Sequence, residues 1–267
     1  MRHPAVGHAP DATQREFRAA EVRLPLGQPL GIGRKPDRAR VLDRLGLQRD
    51  PREVDELFWA DSWKFGDLSA SGKKQSRISS YQVIDEILEY LWISGRFSSL
   101  KQITIAGHSA GGQFVTRYAA GSPFPDRYPT VLSYVVANPS SYLYFSPKRW
   151  DDREGFSLPD NSCPDYDSYP YGLNGLNSYM GHVSPSELKN RFTHRYVTLL
   201  LGEEDTLPEY LDTSCEANLQ GKNRIERGLT YFKFIKTFYP QSKLNVKTVP
   251  GVGHSGEEMF QSSQGRE

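Results

Sequence analysis

From about residue 79 onward the apolar positions switch repeatedly between helical and strand periods, and that alternation is the first guide to architecture. Ser79 and Gln82 have the spacing of a capping box, and Ile84, Ile87, Leu88 and Leu91 then share one helical face. Ile103-Thr104-Ile105-Ala106 reads as a buried strand, followed by a helix-like stretch carrying Phe114, Val115 and Tyr118. Val131 to Ala137 reads as a second buried strand closed by Asn138-Pro139, Tyr196 to Leu201 as a third, and Leu244 to Val249 is the last candidate strand. Between those last two, a helix from Asn223 to about Phe238 has Asn223 as N-cap and Ile225, Leu229, Phe232 and Ile235 pointing inward. Strand and helix in turn predict an α/β fold, a mostly parallel sheet flanked by helices.

The pattern is weaker elsewhere. Thr13 to Val22 is helix-like, Leu24 to Gly33 is broken by proline and glycine, and Arg34 to Arg52 is crowded with arginine and aspartate, so no buried strand is readable in the first 78 residues. The predicted sheet therefore lacks its early strands, and the 103–106 strand keeps an unpaired edge that invites self-association. The stretch 140–195 is rich in Tyr, Pro, Asn and Ser, with a helical period only at Pro185 to Asn190. Irregular segments of that length are usually lids or binding loops, so it reads as an insert covering the site. At 267 residues the whole chain, 1–267, reads as one domain.

Chemistry concentrates at Gly107-His108-Ser109-Ala110-Gly111, between the first buried strand and the helix after it. A strand that reverses into a helix within a few residues lifts a serine hydroxyl clear of the backbone, and small neighbours are needed for the turn. Ser109 is thus the candidate nucleophile, with the Ala110 amide as oxyanion donor at a helix N-terminus. Such a serine needs a base and an acid to orient it. His254 lies in the flexible loop Pro250 to Ser255 after the last strand, and Glu203, Glu204 and Asp205 follow the third strand. Spacing does not separate these acids by geometry. Asp205 is preferred because Thr206 and Pro208 after it suit a turn that projects its side chain back toward the sheet.

Several stretches, beyond the elbow itself, resemble the α/β-hydrolase superfamily, and in particular a microbial and fungal group with a Gly-His-Ser-Ala-Gly elbow. They are Asp61 to Asp67, Ser79 to Leu88, Ala106 to Ala120, Val136 to Tyr144, Leu211 to Cys215 and Val249 to His254. The resemblance implies the α/β-hydrolase fold and supports Ser109, Asp205 and His254 in the roles above. It also implies an early His-Gly turn that supplies a second oxyanion donor. Here only Gly7-His8, in inverted order, comes near it, so the front of the chain departs from the pattern.

The resulting expectation is a serine hydrolase that cleaves a carboxylic ester, with a small-molecule ester-like substrate. His108, Tyr142 and Tyr144 are expected to line the substrate site, and the insert tyrosines are as well explained by loop packing. Two alternatives stay open: a non-catalytic binding protein that keeps the elbow, and an acyltransferase, for which Arg117 on the elbow helix would hold a substrate carboxylate. Trp59 and Trp63 suit core packing better than an acyl pocket. His182 and His194 have no partners at metal-ligand spacing, so no metal and no cofactor are expected.

A net charge of +1 gives no reason to expect nucleic acid or an anionic membrane. No apolar run would span a bilayer, and Met1-Arg2-His3-Pro4 opens no signal peptide, so the chain reads as soluble and by default cytoplasmic. Its two cysteines, Cys163 and Cys215, both lie in irregular segments expected at the same end of the sheet, where a disulfide would tie insert to acid loop.

Overall fold

The computed structural model describes residues 20–23, 57, 59–70, 77–128, 131–160 and 162–267. Its main sheet has five strands in the order β1 (Ala20–Arg23), β2 (Gln102–His108), β3 (Val131–Ala137), β6 (Tyr196–Gly202), β7 (Asn245–Val249). The last four run parallel, and β1 is antiparallel to β2. Register aligns the strand ends: His108 lies opposite Ala137 and Ala137 opposite Leu200, while Gly202 lies opposite Val249. The loops leaving these ends therefore open side by side, where parallel sheets place their sites.

β1 corrects two expectations. Residues 20–22 belong to a strand and not to a helix, and Ala20 to Arg23 pair with Gly107 to Thr104, so that edge of β2 is not bare. Backbone pairing to a sheet edge outweighs a weak local helical period. Residues 24–56, including the unreadable stretch, and Gly7-His8 lie outside the described residues.

One face of the sheet buries Ile103, Ile105, Leu132, Tyr134, Val136, Val197, Leu199 and Leu201 with Phe114, Val115 and Tyr118 of α2 (Ala110–Gly121), Phe124 of the short α3 (Phe124–Arg127), and Tyr231, Phe234 and Ile235 of α6 (Arg224–Phe238). On the opposite side a smaller cluster packs Ala137, Leu200 and Val249 against Met259 of α7 (Gly256–Gln261). The helix α1 (Ser80–Ile93) starts at Ser79 as predicted, but the cap differs in detail: Ser79 accepts from the Tyr81 amide and donates to the Gly66 carbonyl, while Gln82 is exposed. Its buried face is Tyr81, Asp85 and Leu88, with Ile87 turned outward. Asp85 is tolerated there because Tyr118, Ser122 and Tyr179 all donate to its carboxylate. Burial still pushes that carboxyl above the usual range.

The insert is better ordered than its sequence suggests. It contains a hairpin of β4 (Arg149–Asp151) and β5 (Gly155–Ser157), and α4 (Pro185–His194) caps on Ser184 and runs four residues past Asn190. Between them, backbone without regular structure is held by buried side chains. Arg149 donates to the carbonyls of Ser146, Lys148, Tyr166 and Tyr171, and Tyr169 donates to the Phe65 carbonyl. A disulfide joins Cys163 to Cys215, the first residue of α5 (Cys215–Asn218).

That bond closes a sequence separation of 52 residues. Chain entropy alone makes such a closure worth about 4 kcal/mol. Replacing both cysteines by serine should lower the unfolding free energy by about that amount in a urea titration. Equal midpoints for the two proteins would show that the unfolded chain gains nothing from the link.

Candidate active site

At the end of β2 the chain turns into α2 through Ser109, which has φ 55° and ψ −117°. Ser109 is one of three non-glycine residues with positive φ among the described residues, a conformation costing about 1–3 kcal/mol that the surroundings must hold in place. They do so by close approach. A Cβ on Gly107 would sit 2.2 Å from the Gly111 carbonyl oxygen, and one on Gly112 would sit 2.7 Å from that of Ala137. The Ser109 amide donates to the Ala137 carbonyl at 2.9 Å, which fixes the turn to β3. Intrahelical bonding in α2 begins with the Gln113 amide on the Ser109 carbonyl, so the Ala110 N–H has no helical acceptor and faces the anion-favouring end of the helix.

A continuous hydrogen-bond chain starts at this serine. His254 Nε2 lies 2.9 Å from Ser109 Oγ, and its Nδ1 lies 2.7 Å from Asp205 Oδ2. Asp205 is fully buried, His254 is half-buried, and Ser109 is part-exposed. The two loops that deliver the acid and the histidine are laced together. Amides of Glu203 and Glu204 donate to the carbonyls of Val249 and Val252, and a Cβ on Gly202 would strike the Val252 carbonyl at 2.4 Å. Asn138, at φ 44°, bridges both: its Oδ1 accepts from the Gly202 amide and its Nδ2 donates to the Gly253 carbonyl. Of the three acids that compete in the sequence, Glu203 accepts from Thr248 at the exposed face and Glu204 is exposed, which leaves Asp205 at the histidine.

Arg224 is a site residue that the sequence pattern did not single out. It is the first residue of α6, fully buried, and its Nη1 lies 3.3 Å from Asp205 Oδ1, on the side of the carboxylate away from His254. The same guanidinium donates to Ser140 Oγ and to the carbonyls of Leu207 and Glu209. The signal that could have found it is a pair of arginines, Arg224 and Arg227, one turn apart on a helix that follows an acidic loop. The buried face of α6 is in fact Arg224, Arg227, Gly228, Tyr231, Phe234 and Ile235, and Leu229, expected inward, is exposed.

His108 lies beside the site, its ring centroid 4.6 Å from that of His254. Burial, and secondarily the neighbouring His254, pushes its pKa down to about 4, so it is neutral near pH 7 and presents no second cation to His254. Tyr142 and Tyr144 are corrections. Both are fully buried in the core, Tyr142 stacked on Tyr231 and Tyr144 packed on Tyr231 and Phe234, so neither presents a surface to a substrate. Arg117 is also fully buried and spends its donors on the carbonyls of Pro170, Gln113 and Ser141 and on Ser141 Oγ, which leaves it unsuited to a substrate carboxylate. Trp63 packs on Phe114, and Trp59 donates to the Ile78 carbonyl. His182 and His194 are exposed and bond to backbone carbonyls within their own turns. The grouping of Cys163, Cys215 and Glu216 has its sulfurs in the disulfide and does not suit a metal. Among the described residues no helix is long and apolar enough to cross a membrane.

Among solved structures the chain is similar to the LpqC poly(3-hydroxybutyrate) depolymerase of Bordetella parapertussis, with a TM-score of 0.51 and 23% identity over 68% of this chain and 54% of that one. It is also similar to poly(aspartic acid) hydrolase-1 of Sphingomonas sp. KT-1, with a TM-score of 0.51 and 26% identity over 72% of this chain and 64% of that one. The chain has the α/β-hydrolase fold. It spans between half and two thirds of the length of these two structures. No protein-family model and no curated protein sequence matches it. In this α/β-hydrolase fold, the strand ends that carry Ser109, Asn138, Asp205 and His254 are the ones that register brings to one edge of the sheet.

Proposed function

We propose that the chain is a serine hydrolase that cleaves a carboxylic ester, acting as one domain in which 140–195 is an insert. The single observation that carries the reading is the unbroken hydrogen-bond chain from Ser109 Oγ through His254 to Asp205, which three separate strand ends converge to make. The likeness to a poly(aspartic acid) hydrolase at 26% identity supports hydrolysis as the reaction class. Arg117, fully buried and hydrogen-bonded to Pro170, Gln113 and Ser141, gives the acyltransferase alternative no substrate anchor.

In this mechanism His254 Nε2 accepts the Ser109 hydroxyl proton as Oγ attacks the ester carbonyl. The carbonyl π electrons move onto oxygen, and the Ala110 N–H donates to the oxyanion, which forms beside the N-terminus of α2. Collapse expels the alkoxide, which takes the proton from His254 and leaves an acyl group on Ser109. Water, deprotonated by the same imidazole, attacks the acyl carbonyl, and the second collapse breaks the bond to Ser109 Oγ, which takes the proton back from His254 as the acid is released. Asp205 holds Nδ1–H, and so presents the unprotonated Nε2 to the serine. His108 stays neutral throughout. The disulfide favours an oxidising compartment over the cytoplasmic one expected by default, because cytosolic thiols are kept reduced.

Rapid mixing with excess p-nitrophenyl acetate tests the reading. An acyl-enzyme gives a burst of p-nitrophenol approaching one equivalent per chain before the steady state, if deacylation is the slower step. Hydrolysis that continues unchanged in His254→Ala would overturn it.

A further inference from the structure

Arg224 is the buried charged side chain closest to the candidate acid, and nothing in the proposed mechanism uses it. We propose that Arg224 is a positioning residue: its guanidinium fixes the 205–209 turn and turns Asp205 Oδ2 toward His254. The proposal rests on the Ser109, His254 and Asp205 reading given above.

Two observations carry it. Arg224 and Asp205 are both sealed from water, with Nη1 3.3 Å from Oδ1, while Oδ2 is left for His254 at 2.7 Å. One oxygen of the acid is thus committed to the cation and the other to the base, which removes the rotation that would exchange them. Secondly, the donors of Arg224 span the loop from the acid onward: Nη1 reaches the Leu207 carbonyl, Nη2 the Glu209 carbonyl at 2.7 Å, and Nε reaches Ser140 Oγ at 3.2 Å. A rigid fork with several donors is the side chain suited to that task, and lysine, a single point charge, is not.

The test is kcat and KM on p-nitrophenyl butyrate for the wild type, Arg224→Gln and Arg224→Lys, each normalised to the number of sites that form acyl-enzyme. Arg224→Gln should lower kcat per working site at least about tenfold with little change in KM, as loss of an orienting contact does. Arg224→Lys keeps the charge and loses the fork, so its kcat should recover only in part. A purely structural arginine would reduce the number of working sites and leave kcat per working site unchanged. If Arg224→Gln does not fold, Arg224→Lys is compared in the wild type and in Asp205→Asn, where its cost to kcat should shrink because its partner is gone. A kcat per working site in the Gln variant equal to that of the wild type, or an equal cost of the Lys change in both backgrounds, would overturn the proposal. Activity that survives Ser109→Ala would instead bring down the site reading beneath it.

Discussion

Ser109→Ala is expected to reduce turnover of short p-nitrophenyl esters by about a million-fold, to the level left by binding and oxyanion stabilisation alone. The melting temperature should hardly change. Ser109 Oγ bonds to His254, while the contact that fixes the elbow is the backbone amide on the Ala137 carbonyl, and alanine keeps it. Alanine also carries the same Cβ, so the strain at φ 55° is present in both proteins. Steady-state rates beside a thermal melt separate loss of the nucleophile from loss of the fold. Turnover close to that of the wild type would remove Ser109 from the mechanism.

The second large effect is at the acid. Asp205→Asn preserves shape and burial but replaces an acceptor with an amide whose nitrogen cannot take the Nδ1–H of His254. The amide favours the opposite tautomer, with the proton on Nε2, where it blocks the base, and a loss of about 10⁴-fold in kcat is expected. This change also strips Arg224 of its anionic partner in a buried setting, so a stability loss of about 3–5 kcal/mol should accompany it. Glu203→Gln and Glu204→Gln, by contrast, should be mild in both respects, since one carboxylate meets Thr248 at the surface and the other is exposed. A crippled Glu204→Gln beside an active Asp205→Asn would reverse the assignment of the acid.

How far the chain could be read depended on the range of the forces involved. The elbow was legible because its requirements are local: a strand, small residues, a serine, and a helix with Phe114, Val115 and Tyr118 on its core face. The strands at 131–137 and 196–202 were legible as apolar runs within the sheet and 245–249 as an alternating strand at its edge, and their order located Ser109, the acids and His254. Asp205 was preferred among three neighbours only through the turn residues that follow it, because the bonds that orient this loop, from the Glu203 and Glu204 amides to the 249–252 loop, are contacts across more than 40 residues of sequence. Arg224 was hidden for a different reason. Hydrophobic periodicity assigns arginine to solvent, so the inward face of α6 was read through Leu229 and Phe232, while the helix turns its arginines onto the acid loop. Tyr142 and Tyr144 misled in the opposite sense, since a phenol reads as amphipathic and both are wholly within the core. β1 escaped because four residues that pair at a sheet edge leave no periodic signature of their own.

Reaction of the purified chain with a fluorophosphonate, followed by intact mass and peptide mapping, tests the central claim most directly. The reagent loses fluoride to an activated serine oxygen and leaves a stable phosphonyl ester. The account predicts one adduct per chain, located on Ser109, formed slowly in His254→Ala and not at all in Ser109→Ala. A chain that stays unlabelled while a control esterase reacts to completion, or one labelled at a residue other than Ser109, would contradict it.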